Sequence, residues 1–330
     1  MDFRTYPKVE LHLHLDCSVS YDVVHKIDPT ISQAAYERDF TAPAKCTDLV
    51  EYLKRAEKGT ALMQSRENLY LVATDMLRQL QRDNILYAEI RFAPFLHTEQ
   101  GLSVEEVVEV VNAATAEASA ATGVEARLIL CTLRHFSPEQ SMQTVQLVER
   151  FRDTHVVGLD IAGDEAGFPL DAHAPAFQYA VEHAIARTAH AGEASGPASV
   201  WETLERLQPA RIGHGARSIE DLKLVEILRQ ERIHLEICPT SNLQTSLCAT
   251  YADHPIDQLY RLGVPLNVNT DARATTPITL SAEYAKLNQT FGWERTHFLQ
   301  SNLQAIQASF LPGEEKQRLA QRLQAGYAAL

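Results

Sequence analysis

The sequence predicts an α/β fold, a (β/α)8 TIM barrel with additional helices over the C-terminal mouth of the barrel. Three observations predict it. Eight short runs rich in aliphatic and β-branched residues recur along the chain, segments of helical periodicity separate them, and polar residues interrupt the runs near their C-terminal ends. Alternating strand and helix signals indicate βα units around a parallel sheet. Eight such strands close a barrel.

In chain order the runs are "KVELHLHLD" (8–16), "ILYAEIRFAP" (85–94), "EARLILCTLRH" (125–135), "VVGLDIAGDE" (156–165), "IARTAHAGE" (185–193), "RIGHGA" (211–216), "RIHLEICPTSN" (232–242) and "PLNVNTDAR" (265–273). The spacer at 103–120, "SVEEVVEVVNAATAEASA", opens on Ser and early acids and then repeats apolar residues three and four apart, as an amphipathic helix on a sheet would. Residues 17–84 are too many for one helix and include Pro43, so this spacer is expected to place helices over the barrel mouth. No repeat, low-complexity tract or Ser/Gly linker divides the chain, and 330 residues suit a single barrel domain spanning 1–330.

Composition narrows the partners. The chain is 45% hydrophobic and 22% charged, ordinary values for a protein with a sizeable core. Thirty Lys and Arg against 43 Asp and Glu give a net charge of −13, which opposes nucleic acid and anionic membranes. No apolar stretch approaches the roughly 18 residues of a membrane span, and Met1 to Glu10 lacks a signal-peptide core, so the cytoplasm is the expected location. The five cysteines (17, 46, 131, 238 and 248) include no C-x-x-C pair and read as free thiols. Nothing in the sequence fixes an oligomeric state.

The chemistry lies at the strand ends. His12 and His14, two apart on the first strand, point to the same side. His190 ends the fifth run, His214 the sixth and Asp271 the eighth. In a parallel barrel these ends share one face, where such folds build active sites. Nitrogen and carboxylate donors without thiolates suit zinc, with iron, cobalt or nickel as alternatives. Bound zinc would lower the pKa of water towards about 7, and Glu193, three residues beyond His190, is placed to serve as a general acid. The other histidines (25, 97, 135, 155, 173, 183, 234, 254 and 297) are read as surface or satisfied buried side chains.

Six motifs together resemble the adenosine deaminases of the amidohydrolase superfamily: "KVELHLHLD", "DIAGDE" at 160–165, "RTAHAGE" at 187–193, "RIGHGA", "HLEICPTSN" at 234–242 and "NTDA" at 269–272. The resemblance implies one Zn2+ per chain on His12, His14, His190 and Asp271, with His214 beside the metal-bound water. It implies a substrate side of His14, Asp16 near the ribose hydroxyl, Gly163 offering its amide to purine N3, and position 272. Glu193 would protonate purine N1, and His214 would accept the proton of the attacking water. The implied reaction is hydrolytic, converting adenosine or 2′-deoxyadenosine to the 6-oxo product and ammonia. The H-x-E and P-C-x-x-C signature of deaminases acting on nucleic-acid bases is absent.

Two positions depart from the pattern. Where the family typically carries a second Asp that hydrogen-bonds N7, the chain has Ala272, and after Asp16 it has Cys17 in place of Gly. Water or Arg273 is expected to fill the gap at N7 for adenosine; Arg273 can only donate, which N7 accepts. Alternatively the substrate is another aminopurine, such as adenine, a 5′- or N6-modified adenosine or AMP, or aminodeoxyfutalosine. A non-catalytic relative would need to have kept every one of these donors without using them. An amide or phosphoester hydrolase with two metals would need a strand-end Lys, and none is present among the eight runs.

Overall fold

The structure, a computed structural model, describes residues 2–330. Each predicted run forms a strand: β1 Lys8–His14, β2 Ile85–Phe92, β3 Glu125–Leu133, β4 Val156–Ala162, β5 Thr188–Ala191, β6 Arg211–His214, β7 His234–Ile237 and β8 Leu266–Val268. All pairings are parallel, in two arcs ordered β1-β2-β3-β4 and β5-β6-β7-β8. Single bridges, Leu159 to Arg187 and Leu13 to Asp271, join the arcs and close the barrel.

The last four strands are shorter than their sequence runs. Beyond β8 the backbone turns at Asp271 (φ 67°), and β6 ends at His214 (φ 59°). Such left-handed angles are uncommon for residues with a Cβ and cost on the order of 1–3 kcal/mol each. Both bends fall at residues aimed into the barrel mouth.

The barrel interior is not wholly apolar. Mid-strand charges form a buried belt in which Arg91 reaches Asp160 (2.9 Å) and Glu236 (2.7 Å), and Arg211 reaches Glu236 (2.6 Å) and Glu89 (2.5 Å). Buried charges persist only when paired and hydrogen-bonded, and losing one partner typically costs about 3–5 kcal/mol. This belt forms the floor of the site above it.

The 17–84 spacer folds into helices Tyr21–Ile27, Gln33–Asp39, Leu49–Leu62 and Arg66–Arg82, started by Ser20, Ser32, Asp48 and Ser65, whose side chains each accept a backbone N–H. Helix Leu49–Leu62 lines the cavity at the mouth, as expected. Helix Arg66–Arg82 instead packs on the outer wall against β2 and helix Val104–Thr122. The latter is the helix predicted at 103–120, with a Ser103/Glu106 capping box and a left-handed Gly123 at its end. Helix Arg295–Ala308 packs against β1, β7 and β8. Among the described residues no helix is long and apolar enough to cross a membrane.

Candidate active site

The strand-end residues named from the sequence meet at one place. His12 and His14 leave β1, His190 leaves β5, and their ligating nitrogens lie within 4.8 Å of one another; His12, His214, Cys238 and Asp271 form a second such group. Asp271 Oδ1 is 3.2 Å from His12 Nε2 and 3.4 Å from His14 Nε2, and the Nε2 atoms of His14 and His190 are 3.1 Å apart. Gly213 of β6 makes this packing feasible. A Cβ there would stand 2.9 Å from His12 Cε1 and 3.2 Å from His190 Nδ1.

The belt below fixes which ring nitrogens face the site. His12 Nδ1 donates to Glu236 (2.9 Å) and His190 Nδ1 donates to Asp160 (3.1 Å). Both rings therefore present bare Nε2 atoms upward, the outer-carboxylate arrangement usual for metal-ligating histidines. His12 Nε2 is buried without a hydrogen-bond partner. Burial pushes His14 and His214 well below the ordinary imidazole pKa, and His190 below it. Against the cost of burial, the imidazoles around Asp271 hold its carboxyl well below the carboxylate range. For His12 the carboxylates of Asp271 and Glu236 outweigh burial and Arg91 and raise its pKa. Imidazoles pushed towards the neutral form at His14, His190 and His214, a carboxyl at Asp271 pushed towards the ionised form and the orphaned Nε2 of His12 together fit a divalent cation. Cys238 takes no part as a thiolate, because burial and the nearby negative charge of Asp271 push its thiol well up.

Ser241 Oγ donates to the other oxygen of Asp271 (2.6 Å), orienting the carboxylate. Across the site, His214 Nε2 stands 3.6 Å from Glu193 Oε2. Burial raises the Glu193 carboxyl well above its ordinary range, with Asp271 and Glu165 acting in the same direction. The shift favours the protonated form of Glu193, the form a general acid needs.

The loop carrying Glu193 hangs on one carboxylate that the sequence motif contained but did not flag. Glu165 accepts from the amides of Gly192 (2.7 Å), Glu193 (3.0 Å), Ala194 (2.7 Å) and Ser195 (3.0 Å), and from Ser199 Oγ (2.6 Å). Glu165→Ala is expected to destabilise the fold by about 1–3 kcal/mol, since buried N–H groups lose their acceptor. Thermal melting measures this, and kcat should fall with it as Glu193 loses its placement.

A cavity of about 610 Å3 opens above these groups, bounded by His14, Asp16, Gly163, Tyr52, Leu53 and Phe168 among others. Gly163 lies at its wall with φ 99°, an angle that a side chain rarely permits. Asp16 lines the cavity, but its oxygens already accept from the Ala93 amide (3.1 Å) and His97 Nε2 (2.7 Å). His97, read as a bland residue, thus orients Asp16. Cys17 also lines the cavity, and burial with Asp16 and Asp271 nearby keeps it a thiol.

One expectation at the N7 end needs correction. Ala272 is 1% exposed, its methyl can make no hydrogen bond, and its amide donates to the Thr270 carbonyl (2.8 Å). Arg273 cannot fill the gap: its guanidinium is buried elsewhere, on Glu10 (2.7 Å) and Asp83 (3.1 Å). The strong pull of two buried carboxylates turns it away from the mouth. Tyr52 stands near Asp271 instead, its hydroxyl 2.8 Å from Thr276 Oγ1.

Asp160, Glu165, Glu236 and Asn242 went unassigned in the sequence. The available signal was an acid inside an apolar strand run, which must have a partner if the strand is buried.

The chain is similar to known proteins along nearly its whole length. The adenosine deaminase family profile matches residues 7–326. An adenosine deaminase of Mycobacterium marinum is 36% identical over 95% of this chain and 92% of its own, and one of Clostridium acetobutylicum is 35% identical over 96% and 97%. Among solved structures, Arabidopsis ADAL complexed with IMP superposes with a TM-score of 0.89 at 26% identity, covering 99% of this chain and 98% of that one. The Arabidopsis N6-mAMP deaminase MAPDA gives 0.88 at 27% identity, over 98% and 99%. With the profile spanning nearly its whole length and relatives above one-third identity, the chain belongs to the adenosine deaminase family of hydrolytic deaminases.

Proposed function

We propose that this protein is a zinc-dependent deaminase of a free 6-aminopurine nucleoside, adenosine or 2′-deoxyadenosine, yielding the 6-oxo nucleoside and ammonia. The observation that carries this reading is a buried acid, Glu193, facing His214 across a cavity whose floor offers His12, His14, His190 and Asp271 as donors. These four would hold one zinc ion, which supplies Lewis acidity and lowers the pKa of water.

Glu193 gives its proton to purine N1, removing the aromatic stabilisation that resists attack at C6. The water-derived oxygen adds to C6, and ammonia leaves with the hydroxyl proton of the adduct. Glu193 then recovers a proton from solvent. The Gly163 amide meets N3, and Asp16, held by His97, faces the sugar.

The cavity favours a nucleoside over a nucleotide. Acids Asp16, Glu57 and Asp164 line it, Lys54 is its only Lys or Arg, and a phosphate would meet net negative charge. A second reading, another uncharged aminopurine, is favoured by the absence of an N7 donor from Ala272 or Arg273. The test is kcat/KM for adenosine, 2′-deoxyadenosine, adenine, AMP, N6-methyl-AMP and aminodeoxyfutalosine, with Ala272→Asp beside wild type. Fast adenosine turnover that changes less than about tenfold in the variant supports the nucleoside reading. Slow adenosine turnover raised about ten- to a hundredfold by Ala272→Asp, the worth of one ligand hydrogen bond, supports the second. Turnover of AMP above adenosine overturns both.

A further inference from the structure

His214 heads a chain of three buried polar groups drawn from three separate elements. His214 ends β6, Asn242 lies in helix Pro239–Gln244, and His254 follows the turn Tyr251–Asp253. Their exposures are 1%, 0% and 3%. Asn242 Nδ2 is 3.0 Å from His214 Nδ1, and His254 Nε2 is 3.2 Å from Asn242 Oδ1.

The direction of every hydrogen in this chain follows from one backbone group. The Ile256 amide can only donate, and it donates to His254 Nδ1 (3.1 Å). Burial pushes the His254 pKa down to about 3, so the ring is neutral and carries its single hydrogen on Nε2. That hydrogen goes to Asn242 Oδ1, which fixes the amide orientation that ring and amide geometry alone leave open. Asn242 must then direct its NH2 at His214, and His214 Nδ1 must accept.

We infer that Asn242 and His254 are positioning residues that hold His214 as the tautomer with hydrogen on Nε2, so that His214 meets the attacking oxygen as a hydrogen-bond donor. The family resemblance assigned His214 the role of proton acceptor. In this structure a bare Nε2 would require hydrogen on Nδ1, directly against the Asn242 NH2. A donor at Nε2 orients the oxygen and stabilises the charge that develops on it, a task for which buried, preoriented donors are effective. The proton released from water goes to solvent, matching the one that Glu193 later takes back.

The inference rests on the deaminase reading, yet its first test does not need turnover. Protein labelled with 15N-histidine, with and without added zinc, is examined by long-range 1H–15N correlation, and His214 is assigned by its disappearance in His214→Gln. The expected spectrum shows His214 Nδ1 bare and Nε2 protonated; hydrogen on Nδ1 overturns the proposal. Asn242→Asp offers only acceptors and should reverse the pattern, with kcat lowered about ten- to a hundredfold and KM nearly unchanged, the usual range for an outer partner. His254→Leu should lower kcat about tenfold, and His254→Gln, which restores an N–H for Asn242, should recover most of it. Unchanged kcat in Asn242→Asp also overturns the role. If wild type turns over no aminopurine, the deaminase reading fails, and the spectrum still decides the tautomer.

Discussion

Glu193→Gln is expected to lower kcat by about three orders of magnitude, with KM and bound metal nearly unchanged. General acid catalysis by a positioned side chain contributes about 10²–10⁴-fold. The amide fills the same volume beside His214 and cannot give up a proton to N1. Steady-state kinetics and metal analysis on one preparation read both halves of this expectation. A kcat within tenfold of wild type would remove Glu193 from the reaction.

The same substitution should leave the fold as stable or make it more so, most clearly above neutral pH. The folded pKa of Glu193 is raised, so the folded state keeps a proton that the unfolded chain loses above about pH 4.3. Stability associated with this group is therefore full at acid pH and declines as pH rises towards the folded value. Glutamine does not titrate. Melting curves at pH 6 and 8 should show a smaller drop for the variant than for wild type.

The second large effect is expected at the donor cluster. His190→Ala or Asp271→Ala should abolish stoichiometric metal binding and reduce kcat/KM by at least about a thousandfold, because the ion supplies several kcal/mol to the transition state. Adding zinc should raise the melting temperature of wild type and leave both variants unmoved, since a ligand stabilises only the fold that binds it. Full activity in a metal-free wild-type preparation would exclude a catalytic role for the cluster. A milder outcome is expected at its floor. Glu236→Gln keeps the volume but weakens the hold on His12 Nδ1 and both arginines, and metal affinity should fall about ten- to a hundredfold.

Two non-glycine residues of the site sit at left-handed φ angles, His214 and Asp271. Neither angle is favoured locally, and both persist because tertiary contacts over-determine them: His214 through Asn242, Asp271 through Ser241 and its bridge to β1. The site thus spends stability on geometry. Its cost is carried by the barrel, whose core residues are almost wholly buried.

The sequence by itself determined the barrel, the order of its strands and the identity of the residues at their ends. Strand periodicity is local, and a parallel barrel brings all strand ends to one face, so the chain order alone gathers His12, His14, His190, His214, Glu193 and Asp271. Only the tertiary structure decided which way the long polar side chains turn and which nitrogen carries which hydrogen. Arg273 sits next to a site residue in sequence, yet Glu10 and Asp83, far away along the chain, capture it. His254 has no local mark of importance and gains its role from Asn242 and the Ile256 amide. Hydrogen-bond direction depends on partners brought together by folding, and no spacing along the chain encodes it.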